Sequence, residues 1–168
     1  MLQTDSKTIF FQSLGCPKNL VDAEVMLGIT KEHNYTFVED PSQAEVIVVN
    51  TCSFINDSKK ESINTVLELS ENKKSGLCEK LIVTGCLPQR YKEDLKAAFP
   101  EVDAFVGTGQ YGQILEFIDG KKESDEGFKH PKYLHNENTP RINSQPKHRA
   151  YLKVSEGCIK NCAFCIIP

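Results

Sequence analysis

Uninterrupted apolar runs alternate with helically spaced ones over roughly the first 120 residues. Thr8–Leu14 (TIFFQSL) is a short apolar run closed by Gly15 and reads as a strand. From Asn19 to His33 the apolar residues Leu20, Val21, Met26, Leu27 and Ile29 recur at helical spacing. Tyr35–Val38 is a short β-prone stretch closed by Asp40-Pro41. Glu45–Val49 (EVIVV) is β-branched without a polar break, the mark of a strand buried on both faces. Ser58-x-x-Glu61 has the form of a capping box, with Ile63, Val66 and Leu67 on one face behind it and Gly76 suited to the C-terminal cap. Lys80–Thr84 (KLIVT) is the next strand. Tyr91, Leu95, Ala98 and Phe99 line a further helix stopped by Pro100. Ala104–Val106 is a brief strand before Gly107, and Ile114, Leu115 and Ile118 face inward from a last helix. This alternation predicts an α/β domain with an open, mostly parallel sheet flanked by helices.

The pattern stops near Lys121. Residues 121–149 are polar, hold three prolines and lack periodicity, so they read as a linker or irregular connection. Tyr151–Val154 (YLKV) then reads as the first strand of a second domain, cut off at Pro168. The expected division is a domain over 1–120, a linker over 121–149, and the truncated start of another domain over 150–168. With 168 residues, 39% of them hydrophobic and 26% charged, the chain can bury a core. A net charge of −3 neither requires nor excludes a nucleic-acid partner. No apolar run reaches membrane-spanning length, and the N-terminus has no basic, then apolar, leader. The expected compartment is the cytoplasm, with no membrane partner.

Seven cysteines change this bland picture. In a reducing compartment they point to metal or redox chemistry before disulfides, and an odd count fits a disulfide set poorly. Cys158, Cys162 and Cys165 form C-x-x-x-C-x-x-C, a spacing that lets one loop offer three thiolates to three corners of an iron–sulfur cubane. The fourth iron stays open. The competing reading is a zinc site, but zinc knots use paired C-x-x-C motifs and four ligands. Cys16, Cys52 and Cys86 are far apart in sequence, yet each follows a predicted parallel strand, and ligand sites of open α/β sheets form along that edge. Gly15 and Gly85 precede two of them and permit tight turns. A shared metal site and three small buried hydrophobes both remain open for this set. Cys78 lies between a helix and a strand, off the pattern.

Taken together, the stretches SLGCPKNLVDAEVMLG, VVNTCSFINDSKKESI, VTGCLPQR and YLKVSEGCIKNCAFCIIP resemble the radical S-adenosylmethionine (SAM) methylthiotransferases, a family with MiaB and RimO branches. Gly15–Asp22 (GCPKNLVD), Tyr151–Gly157 and Cys165–Pro168 are similar to the RimO branch. The resemblance implies an N-terminal methylthiotransferase domain, then a radical SAM barrel and a TRAM domain. It implies that Cys16, Cys52 and Cys86 bind an auxiliary 4Fe–4S cluster, and that Cys158, Cys162 and Cys165 bind the radical SAM cluster, with Phe164 near the adenine of SAM. It further implies methylthiolation of the β-carbon of an aspartate in ribosomal protein S-twelve of the small subunit, with a low-potential electron donor. A chain ending at Pro168 would then be an N-terminal fragment, inactive by itself.

The alternatives are a MiaB-like tRNA methylthiotransferase, against which Pro17–Asp22 speaks, and a non-catalytic iron–sulfur or zinc-binding module. Other residues carry less. Lys18 reads as an exposed lysine in a helix first turn. Asn50 and Thr51 are offered either to cluster sulfurs or to the turn. Glu156 has no role legible in the sequence. The four histidines read as solvated, and the lysine pairs Lys59-Lys60 and Lys73-Lys74 lack the interleaved aromatics of a nucleic-acid stripe.

Overall fold

The β-branched runs pair side by side in the computed structural model, which describes residues 6–122, 135–160, 162, 163 and 165. The strands are β1 (Thr8–Ser13), β2 (Thr36–Phe37), β3 (Val46–Thr51), β4 (Lys80–Gly85) and β5 (Ala104–Val106). The helices are α1 (Pro17–Glu32), α2 (Asn56–Ser70), the single turn α3 (Asn72–Ser75), α4 (Cys86–Ala98) and the short α5 (Ile114–Ile118). Every ladder is parallel, and the strand order is β2-β1-β3-β4-β5. The predicted α/β class and parallel sheet are therefore found. The order reverses between β1 and β3, the place where open α/β sheets leave a crevice at the carboxyl ends of their strands.

Strand β3 is buried at all six positions, as its unbroken β-branched run requires. Val46 and Val48 face one core with Val25 and Met26 of α1 and Ile114, Phe117 and Ile118 of α5. Ile47 and Val49 face the other, with Val66 and Leu69 of α2, Leu87 and Leu95 of α4, and Cys78. Pro17 opens α1 at its first turn, where its missing N–H costs nothing. Asn34, at φ 63°, turns the chain after α1.

Several local expectations are corrected. Helix α2 begins at Asn56, not Ser58. Ser58 serves from the third helical position, its hydroxyl accepting from the Ile55 N–H at 3.1 Å. Leu67 is 48% exposed, because the buried face runs through Ile63, Val66 and Leu69 and the next residue lies about 100° round the helix. Gly76 closes α3 instead of α2, its N–H reaching the Asn72 carbonyl at 2.9 Å. Helix α4 starts at Cys86 itself and kinks at Tyr91, so the face read from Tyr91 onward is only its second half.

The region read as a linker or irregular connection has no helix or strand where it is described, and part of it is held against α1. The Arg141 guanidinium donates twice to Glu24 Oε2, at 2.9 and 2.6 Å. The Ser144 N–H and hydroxyl donate to Glu24 Oε1 at 2.8 and 2.7 Å, and the Ile142 N–H donates to the Glu24 carbonyl at 3.0 Å. Gly28 permits this approach: a Cβ there would lie 2.4 Å from the Pro140 carbonyl carbon. A buried glutamate needs such partners, and they come from more than 110 residues away, so no local pattern announces them. Residues 123–134 lie outside the described residues. Tyr151–Val154 forms no ladder with any described strand, because a strand needs a partner and none runs beside it.

Candidate metal centre at the sheet edge

Three neighbouring strands deliver three cysteines to one edge. Cys16 is the N-cap residue of α1, just beyond β1. Cys52 follows β3 directly, and Cys86 opens α4 directly after β4. The register pairs Ser13 with Asn50 and Thr51 with Gly85, so the three turns leave the sheet at nearly the same level. Gly15 and Gly85 adopt φ +94° and +100°, conformations an L side chain rarely takes. Neither has room for one. A Cβ on Gly15 would lie 2.6 Å from Cys52 Cβ, and one on Gly85 would lie 2.4 Å from the Thr51 carbonyl oxygen.

Asn19 ties the turns together, a role the sequence did not signal. Its side chain is buried, and Nδ2 donates to the Thr51 carbonyl at 2.7 Å and to the Leu14 carbonyl at 3.2 Å. Its own carbonyl accepts from Asn50 Nδ2 at 2.6 Å, and Cys86 Sγ lies 3.5 Å from its Oδ1. One residue thus touches all three cysteine-bearing turns. The turns are braced further by Ser62, whose hydroxyl accepts from the Cys52 N–H and donates to the Cys52 carbonyl, and by Ser53, which donates to the Cys86 carbonyl at 3.1 Å. Thr51 donates to the Thr84 carbonyl at 2.7 Å. Asn50 and Thr51 thus each make one turn-bracing bond, the second of the two roles offered for them.

Cys16 is exposed, Cys52 buried and Cys86 between the two. Burial pushes the Cys86 thiol up to about 11, the nearby Cys52 and Cys16 thiols add to this, and Lys18 opposes it. Cys86 thus lies within electrostatic reach of both Cys52 and Cys16. Burial keeps Cys86 a thiol in the metal-free chain, and a bound cation would have to displace its proton. Among the described residues no three His, Cys, Asp or Glu side chains are gathered closely enough to hold one metal ion. A cubane spreads its thiolates over separate irons, and three thiols alone are a soft donor set that suits iron–sulfur. Beside Cys16 lies an open pocket of about 280 Å³, lined by Leu14, Pro17, Leu20, Gln145 and Tyr151 among others.

The second cysteine set is arranged differently. Cys158 and Cys162 are exposed and Cys165 is half-buried. The Cys165 N–H donates to the Cys162 carbonyl at 3.0 Å, and the Lys160 N–H points at Cys158 Sγ at 3.4 Å. Phe164 lies outside the described residues. Cys78 is packed in the second core with its thiol raised by burial and donating to the Lys80 carbonyl at 3.4 Å, well apart from the site. Lys18 is not the free lysine expected: its ammonium donates to the Glu156 carbonyl at 2.9 Å. Among the histidines, His33 and His148 are exposed as read, whereas His135 is half-buried and held below its usual value by burial and by Arg141.

Comparison with known proteins places these features. Residues 8–107, which span β1 to β5, match the family described as Uncharacterized protein family UPF0004. The chain is 53% identical over its whole length to "Ribosomal protein uS12 methylthiotransferase RimO" of Myxococcus xanthus, covering 35% of that protein. Proteins of the same name from Citrifermentans bemidjiense and Lachnoclostridium phytofermentans are 49% and 54% identical over 100% and 95% of this chain, which covers 38% and 37% of them. The chain thus spans little more than a third of the length of these curated relatives. Carrying the three-cysteine strand edge within the matched region, the chain belongs to family UPF0004, the N-terminal domain of the MiaB and RimO methylthiotransferases.

Proposed function

We propose that this chain is part of a ribosomal protein uS12 methylthiotransferase of the RimO type, with Cys16, Cys52 and Cys86 holding one 4Fe–4S cluster and Cys158, Cys162 and Cys165 a second that binds SAM. The observation that carries the reading is the convergence of the first three cysteines at one sheet edge in a chain about half identical, end to end, to proteins of that name. When bound, such groups supply an open iron for a sulfur ligand at one site and hydrogen-abstraction chemistry with SAM at the other.

The chain's own residues do the positioning. Asn19 and Ser62 hold the turns so that the three thiols start from one edge of the sheet. Cys86 would bind a cluster iron as its thiolate, from a partly buried position at the edge. The exposed Cys16 side and its pocket leave the approach open for a sulfur donor or substrate. The reading includes an external low-potential electron donor and a reducing compartment, the cytoplasm. No helix among the described residues is long and apolar enough to cross a membrane.

The test is anaerobic reconstitution of the chain, with iron and sulfide counted in the native sequence and in a Cys16→Ala/Cys52→Ala/Cys86→Ala variant. A cubane on the first site means about four irons per chain that the variant loses. A variant that keeps as much iron as the native chain removes the first site from the reading. In parallel, the whole protein should add a methylthio group to uS12, read by intact mass; modification of tRNA adenosine instead would assign the MiaB branch.

A further inference from the structure

Between Tyr151 and Ser155 the chain is inside out. Leu152 and Val154 are 80% and 78% exposed, while Lys153 between them is 7% exposed. Burying an ammonium and exposing two aliphatic neighbours is costly unless the charge is matched. Here it is matched on three sides. Lys153 Nζ lies 2.5 Å from Asp22 Oδ1 of α1, pairs with Glu156 on its own segment, and sits 4.8 Å above the Tyr111 ring. Asp22 and Glu156 are themselves buried side chains. A second tie runs beside the first, from Lys18 to the Glu156 carbonyl. Both ties join the first two turns of α1, directly behind Cys16, to the residues directly before Cys158.

We propose that Lys153 is a positioning residue for the two-site arrangement: its buried pairing with Asp22 and Glu156, aided by Lys18, latches the loop carrying Cys158, Cys162 and Cys165 to the helix that starts at Cys16. The geometry favours this over incidental packing. The apolar residues that would ordinarily dock such a segment face away, so the charges do the holding. Removing Lys153 leaves Asp22 and Glu156 buried with no cation between them, whereas removing one carboxylate leaves Lys153 the other, so the latch depends most on the lysine. The purpose of the latch rests on the two-cluster reading above: a sulfur held at one site and a substrate activated at the other must meet over a fixed distance. The latch itself consists of contacts of the metal-free chain.

Its test accordingly needs no iron. Cys16 and Cys158 are both exposed thiols, so a short bis-maleimide added to the metal-free, reduced chain should bridge Cys16 to the Cys158–Cys165 peptide, read by peptide mass. Lys153→Met keeps most of the side-chain length without the charge and should lower that yield at least fivefold while far-UV circular dichroism is unchanged. Lys18→Met breaks the second tie outside the buried pair and should lower the yield about twofold. An unchanged yield in folded Lys153→Met, or in Lys18→Met should Lys153→Met not fold, overturns the proposal. Its failure is distinguishable from failure of the two-cluster reading, which the iron count decides separately.

Discussion

Replacing Asn19 by alanine removes two donors from the centre of the cysteine edge and leaves the backbone contact to Asn50 in place. The Thr51 carbonyl is buried, and losing its 2.7 Å partner leaves it unsatisfied, a penalty of about 1–3 kcal/mol. The Leu14 carbonyl is partly exposed and accepts water instead, so its 3.2 Å bond adds about 0.5 kcal/mol. The expected loss is therefore about 1.5–3.5 kcal/mol, a fall in Tm of roughly 3–14 °C for a chain of this size. The domain stays folded, since whole-domain stabilities run at about 5–15 kcal/mol. The effect on metal should be larger than the effect on folding. Three turns lose their common tie, and supporting-residue losses of this kind weaken metal binding by roughly 10–100-fold. Urea denaturation of the metal-free chain measures the first effect, and iron retained against a chelator measures the second. A stability loss below about 0.5 kcal/mol with unchanged iron retention would refute the role given to Asn19.

Other expectations follow from single contacts. Gly15→Ala forces a side chain into φ +94° and within 2.6 Å of Cys52 Cβ, so it should displace Cys52 and lower iron content in the reconstituted chain; full iron would mean that the turn relaxes freely. Burial acts to raise Glu24, but its bonds from Ser144 and Arg141 outweigh this and hold it below the ordinary value of 4.5. Its contribution to stability is thus complete above that value and is lost as pH falls through the lower folded one. Acidification across that window should free residues 135–144 to proteolysis before the sheet melts, and Arg141→Met should shrink the pH step while the Ser144 bonds keep part of it. Cys78→Ala removes a buried thiol from the second core, away from the sheet edge. It should cost about 1 kcal/mol by urea denaturation and leave the iron count untouched; lost iron would bring Cys78 into the site.

Much of this architecture was legible because it rests on local pattern. EVIVV is buried on both faces wherever it sits, and helical spacing from Ile114 to Ile118 names the face that packs on the sheet. A cysteine placed just after each of three predicted parallel strands lies at the carboxyl edge whatever the strand order. The errors fell where one residue of helical phase matters, as at Leu67, or where a strand was read without its partner, as at Tyr151–Val154.

The sequence by itself determined the five strands of the sheet, the main helices and the parallel class, because hydrophobic period and residue spacing act over a few neighbours. Only the tertiary structure decided that β1, β3 and β4 are adjacent, so that Cys16, Cys52 and Cys86 share one edge. It also decided that Asn19 joins three turns, that Glu24 clamps a segment read as a linker, and that Lys153 turns inward past two exposed aliphatic neighbours. Each of these rests on a buried polar group whose partners lie some 30 to 130 residues away. A buried charge or amide takes its partner from wherever the fold brings one, and no periodicity along the chain records that choice.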